Sequence, residues 1–285
     1  MAITSFIPTI WSEALAKSLD KQYIGIANCT REYEGEIKEM GSTVNVCTLG
    51  DVTIGNYKKN QNISAPQDLD GTVRTLVIDQ AKYFNFQIDD VDKAQAVPHV
   101  MEEAMRAAAA ALANVADQCV YGQHMYAAHN IQVLRGTVDN ILDTILQART
   151  KLYENNVAPG TEVVLEVTPQ IAELIFKAKL NLSTDNNELL ETGCIGSLAG
   201  FKVFVTNNII KTQDASNNTC HNCYARTKRA IAFAEQISEI EAYRPENRFA
   251  DAVKGLHLYG AKIVYPDELV RLQISLGDNP TVDEM

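Results

Sequence analysis

The sequence predicts an α+β fold, and three observations predict it. An alternating, strand-like span (Thr43-Val44-Asn45-Val46-Cys47-Thr48) enters a long polar excursion and returns through Thr72 to Ile78. One long Ala-rich helical pattern fills Val100 to Val120. Beyond it, helical periods alternate with short apolar runs up to strand patterns at Leu256–Tyr265 and Leu269–Leu276.

The 285 residues suffice for one large domain or two modest ones. A chain 46% hydrophobic and 21% charged is ordinary for a globular protein, which excludes wholesale disorder. Acidic residues (36) outnumber Lys and Arg (25), for a net charge of −11. That balance excludes tight sequence-independent wrapping of nucleic acid, which needs clustered cations. Met1 to Pro8 has no basic stretch followed by an apolar run, and no run approaches the ~20 apolar residues of a membrane span. Six cysteines, mostly single in apolar surroundings, fit buried thiols in a reducing compartment. The expectation is a soluble, cytoplasmic chain without a membrane partner.

The first forty residues read as an arm. Pro8 starts a helix in which Trp11, Leu15 and Leu19 share a stripe, and Trp11 packs on its own domain or on a neighbouring subunit. The excursion from Gly50 to Gly71 has strand-like ends, Val52-Thr53-Ile54 and Thr72 to Ile78, around a tip of Gly55, Asn56, Tyr57, Lys58, Lys59 and Asn60. So polar a hairpin is poorly stable alone and must lie on its own body or on another chain.

In the long helix, Pro98 suits the first turn, and Met101, Met105, Ala108, Leu112, Val115 and Cys119 recur at spacings of three and four. Glu103, Arg106, Ala110, Asn114 and Asp117 fall opposite, and Gly122 ends the element. A further helix spans Val138 to Tyr153 with Val138, Ile141, Leu142, Ile145 and Leu152 on one face. Pro159-Gly160 turns into a buried strand at Glu162–Val167, and Thr168 caps a helix opened by Pro169. Asn181 to Glu191 reads as a polar loop, Phe201 to Thr206 as a strand, and Lys211 to Cys223 as another polar loop. The acidic stretch Gly277 to Met285 reads as a tail.

Catalytic patterns are missing. No phosphate-binding loop, dinucleotide fingerprint or His-Glu-X-X-His occurs, and the five histidines are scattered. Gly193 to Gly200 lacks a lysine and reads as a tight turn into the Phe201 strand. Glu34, Glu36 and Glu39 fit a solvated face better than acid–base chemistry. Cys220-His221-Asn222-Cys223 is the single motif with metal or redox potential, and Cys220, His221 and Cys223 form a weak metal candidate. A redox dithiol belongs at a helix N-terminus and zinc needs a fourth ligand, so a loop thiol pair is the default. No catalytic residue and no cofactor are expected.

The order of elements is similar to that of the major capsid protein of tailed bacteriophages, the Hong Kong 97-like fold. The likeness rests on Phe6-Ile7-Pro8-Thr9-Ile10-Trp11-Ser12, the Asp79–Ala96 run, Ile195 to Asn208 and Phe249 to Lys262, in that order over nearly the whole chain. It implies an arm and first strand (1–48), an extended loop (49–75), a peripheral domain with a spine helix (76–135), an axial domain (136–235) and a return to the peripheral domain with a tail (236–285). It further implies a virion capsid of hexamers and pentamers, assembled in the bacterial cytoplasm around double-stranded DNA without sequence-specific contact. Trp11, Gly55, Tyr57, Lys58 and Lys59 are the expected subunit-interface residues. The arm signature starts at Phe6, leaving no room for the long scaffolding extension of some relatives, so a separate scaffolding protein is expected, with a portal protein and decoration proteins. Two alternatives remain open: an encapsulin-type compartment shell, and a metal or redox protein using Cys220, His221 and Cys223.

Overall fold

The computed structural model describes residues 23–33, 41–49, 53–62, 65–66, 71–89, 100–178, 194–214, 217–247 and 249–276. The expected Trp11 helix, the Glu34–Glu36–Glu39 cluster, the Asn181–Glu191 loop and the 277–285 tail lie outside them.

Strands β1 (Thr43–Leu49) and β2 (Gly71–Val77) form an antiparallel ribbon in continuous register, from Thr43 opposite Val77 to Leu49 opposite Gly71. β3 (Gln80–Asp89) leads towards α1 (Val100–Gly122), β4 (His129–Val133) and α2 (Ile141–Glu154). Then come β5 (Val163–Val167), α3 (Pro169–Lys177), β6 (Cys194–Leu198), β7 (Phe201–Val205) and β8 (Lys211–Gln213). β9 (Thr219–Thr227), β10 (Ile231–Tyr243), β11 (Ala250–Ile263) and β12 (Leu269–Ser275) complete the order. The smaller sheet runs β10-β11-β3, and the larger runs β4-β12-β9-β5-β7-β6 with β8 beside β9. Within 236–285, β11 therefore pairs with β3, whereas β12 lies between β4 and β9 in the larger sheet.

β5 is apolar along nearly its whole length and buried at every position, as a central strand covered on both faces must be. Ile141, Ile145, Ala148 and Leu152 of α2 and Ile171 and Ile175 of α3 cover one face of its sheet. The α2 stripe follows the expected spacing. Thr168 does stand at the N-cap of α3, but its hydroxyl makes no cap bond and faces the His221 ring instead.

Three expectations need correction. The buried stripe of α1 is Ala109, Leu112, Ala113, Ala116, Val120 and Tyr121, while Val115 is exposed and Asp117 is buried. In a helix so rich in alanine, side-chain size does not fix the rotation, and the partners of Asp117 do. Gly122 does end the α-helix, although its φ of −64° stays helical and a 3-10 turn follows over Gln123–Tyr126. The segment from Lys211 to Cys223 is no loop but two paired strands, β8 and β9, with Lys211 opposite His221. Thr53 and Ile54 lie outside any strand, and among the described residues the ribbon pairing runs as far as Leu49 and Gly71; Val52 lies outside the described residues. The strand β3, Gln80-Ala81-Lys82-Tyr83-Phe84-Asn85-Phe86-Gln87-Ile88-Asp89, adds an element that the sequence reading left unassigned.

The base of the ribbon lies on the protein's own body. Val44, Val46, Leu76 and Ile78 turn one face onto Ala232, Ala234, Leu258 and Val264. Contact is so close that a Cβ on Gly260 would sit 2.2 Å from the Val77 carbonyl oxygen. Gly260→Ala must therefore push backbone away from backbone, and urea unfolding should show a loss of about 1–3 kcal/mol. An unchanged midpoint would show that the ribbon is not seated at Gly260.

Candidate functional site

Two regions stand out among the described residues: the exposed tip at Thr53–Asn62, and a buried junction that anchors segment 23–31. At the tip, Thr53 to Asn62 is exposed throughout, with Ile54 93% and Tyr57 75% accessible. A turn at Lys58–Gln61 closes it: the Gln61 N–H donates to the Lys58 carbonyl at 3.2 Å, and Asn60 takes φ 65°. Gly55, Tyr57, Lys58 and Lys59 thus share one projecting tip, and a Cβ on Gly55 would meet nothing within 4 Å. Trp11, the remaining expected interface residue, lies outside the described residues.

At the junction, Arg226 and Glu166 are fully buried and paired through two bonds, Nε to Oε2 and Nη2 to Oε1, each 2.9 Å. Arg226 also donates to the Asn28 carbonyl (2.5 Å) and the Gly25 carbonyl (2.9 Å), and the Asn28 amide donates to Glu166 (3.2 Å). From α1, Asp117 accepts the backbone N–H groups of Ile24 (3.1 Å) and Ile26 (3.0 Å). Segment 23–31 is therefore held by the larger sheet and the helix together.

The smaller sheet holds it as well. Thr30 bridges to Ala232, and Glu235 accepts from the Tyr23 hydroxyl (2.5 Å), Arg31 (2.5 Å) and His257 Nε2 (2.8 Å). Burial pushes the Glu235 carboxyl up, but the His257 and Tyr23 hydrogen bonds and the His257 and Arg31 charges outweigh it and hold it below the usual range.

Asp117 behaves in the opposite way. Burial raises it to about 6, and its backbone N–H bonds offset that only in part. A carboxyl raised on folding contributes stability that is complete below its unfolded value and is lost as pH climbs through about 6. The stability gap between the wild type and Asp117→Asn should therefore be wider at pH 4 than at pH 7, by on the order of 2 kcal/mol. Denaturant titrations at both pH values measure it; a pH-independent gap would refute the buried, raised carboxyl.

Cys220, His221 and Cys223 do not come together. They lie inside β9, where alternate residues face opposite ways. Cys223 points into the core beneath α2 and α3, and on that same face His221 meets the Thr168 hydroxyl at 2.9 Å. Cys220 falls on the other face with Asn222, whose amide donates to the Ile210 carbonyl at 2.7 Å. Burial lifts the Cys223 thiol to about 12 and lowers His221 to about 4, so the thiol stays protonated and the ring neutral. Among the described residues no group of three His, Cys, Asp or Glu could hold a metal. No described helix is long and apolar enough to cross a membrane.

The buried ionisable groups thus serve to fasten segments together, and the most exposed apolar side chains stand on projecting loops and edges. That arrangement defines a subunit built to be joined to others. The sequence profile described as "Phage capsid protein" matches residues 36–275, and the chain belongs to that family: it is a phage capsid shell protein of the virion, not an enzyme. Among solved structures it resembles one from Mycobacterium phage Che8 at 26% identity and a TM-score of 0.69, covering 88% of this chain and 91% of that one. The capsid of Ralstonia phage GP4 matches at 12% identity and 0.69, covering 92% of each chain. The capsid of cyanophage P-SCSP1u matches at 14% and 0.65, covering 85% of each, and these two likenesses show the Hong Kong 97-like fold. No curated protein matches the sequence.

Sequence reasoning singled out the tip but not the junction. Arg226, Glu166 and Asp117 lie far apart in the chain, and Glu166 is a lone charge in an otherwise apolar strand. Arg226 shares β9 with His221 and Asn222, and Asp117 shares α1 with Glu102, Glu103 and Arg106, so nothing local marks those two.

Proposed function

We propose that this chain is the repeating coat subunit of an icosahedral shell of hexamers and pentamers that encloses double-stranded DNA without sequence-specific contact. The observation that carries the reading is the tip at Thr53–Asn62. Its ribbon is seated on the subunit's own smaller sheet, yet Ile54 and Tyr57 project from it almost wholly exposed. A neighbouring subunit is the partner that covers them, with Gly55, Tyr57, Lys58 and Lys59 in the contact and Trp11 of the arm in a second one. In this reading the smaller sheet and α1 form the peripheral domain and the extended loop covers 49–75. The axial domain is the larger sheet with α2 and α3, including β4 and β12. A separate scaffolding protein, a portal protein and decoration proteins are the further partners. The net charge of −11 suits a wall that holds DNA without adhering to it.

Expression of the full chain with its neighbouring phage genes, followed by negative-stain microscopy, tests the proposal. Closed icosahedral particles are expected. A stable monomer that assembles under no condition would refute it.

A further inference from the structure

Arg149 of α2 is 8% exposed, and its guanidinium has no carboxylate partner among the described residues. Nη2 donates to the Tyr153 hydroxyl at 2.7 Å, while Nε and Nη1 are buried without a hydrogen-bond partner among the described residues. Two rings flank the charge, Tyr153 with its centroid 4.4 Å away and Phe201 with its centroid 5.3 Å away. The β6–β7 turn lies against it so closely that a Cβ on Gly200 would be 3.4 Å from Nη2.

Arg226, the other deeply buried arginine, shows how this chain satisfies such a group, with a two-pronged carboxylate and two carbonyls. Arg149 has the same fork and none of those partners. Ring faces compensate a cation partly, but unmade donor bonds on a buried guanidinium are costly. The site also faces outward. Leu146 and Tyr153, three residues before and four after Arg149, are both exposed, so Arg149 sits at the rim of the α2 core, between buried Phe201 and an exposed Leu–Tyr flank. A central arginine ringed by apolar side chains is the composition of an energetic centre in protein–protein contacts.

We propose that the Arg149 patch is a contact between copies of this chain, in which a carboxylate of a second copy displaces the Tyr153 hydroxyl and takes the guanidinium fork. Carboxylates are the abundant charged group on any second copy, 36 acidic residues against 25 basic. A single recessed cation with an apolar rim does not form the cationic track that a nucleic-acid backbone follows. The inference rests on the shell-forming reading given above.

The test compares wild-type chain, Arg149→Met and Arg149→Lys, each full length, as unassembled subunit and as empty shells. The unassembled Arg149→Met subunit should keep its Tm or gain about 2 °C, because an unpaired buried charge has been removed. The same variant should give about tenfold fewer shells, or shells that dissociate at lower denaturant, and Arg149→Lys should fall between the two. A map of wild-type shells should show a neighbour's carboxylate oxygen within hydrogen-bond distance of Nε or Nη1. Several results would overturn the proposal: Arg149→Met that unfolds the lone subunit, Arg149→Met shells as stable as wild type, or a map with no acid at the site. A defect confined to DNA-filled particles would assign Arg149 to phosphate and overturn it also. Wild-type chain that makes no shells at all would instead remove the reading on which the inference rests.

Discussion

Arg226→Met should cost the subunit about 3–5 kcal/mol, the largest loss expected from any single substitution. The change leaves Glu166 as a buried carboxylate whose remaining side-chain partner is the Asn28 amide, and it strips the Gly25 and Asn28 carbonyls of their donor. The double variant Glu166→Leu with Arg226→Met removes both charges and should recover part of the loss, though not all, because the two carbonyls remain unsatisfied. Urea unfolding of the three variants measures the coupling. Hydrogen exchange should report early opening at Ile24 and Ile26, whose N–H groups are held by Asp117 in the same junction. Equal stability of the single variant and the wild type would mean that the junction does not hold segment 23–31.

Deleting Gly55 to Ala65 should abolish closed shells while leaving a folded subunit. The ribbon below the cut keeps its register and its seat on Ala232, Ala234, Leu258 and Val264, so the thermal transition should move by no more than about 2 °C. What is lost is the exposed tip with Tyr57, Lys58 and Lys59. Light scattering and microscopy of the purified deletion protein decide the matter, and normal particles would show that the tip makes no essential contact between subunits. The contrast with Arg226→Met is informative: one change breaks the subunit, the other only its joining.

Much of the fold was legible because hydrophobic period reports burial. α2 showed its stripe of Ile141, Ile145 and Leu152, and β5 its unbroken apolar run. β9 was misread for a physical reason. Its polar residues His221 and Asn222 look solvated in sequence, yet His221 meets Thr168 and the Asn222 side-chain carbonyl accepts from Arg271 of β12. α1 was placed correctly along the chain and rotated wrongly, because eight alanines among its 23 residues, five of them consecutive, give the period little contrast. The tip was legible as a polar excursion between strand-like runs. The junction and the Arg149 patch were not, since each depends on residues brought together only by tertiary contact.

The positions of the last two long strands govern how the chain comes off the ribosome. β11 is the middle strand of the smaller sheet, between β10 and β3, and β12 sits between β4 and β9 in the larger one. Neither sheet can close until residues 250–275 have been synthesised, so a chain stalled earlier carries unpaired strand edges and no finished core. Half-made subunits therefore never present the finished joining surfaces. Their open strand edges are the kind of surface that chaperones bind and that aggregates.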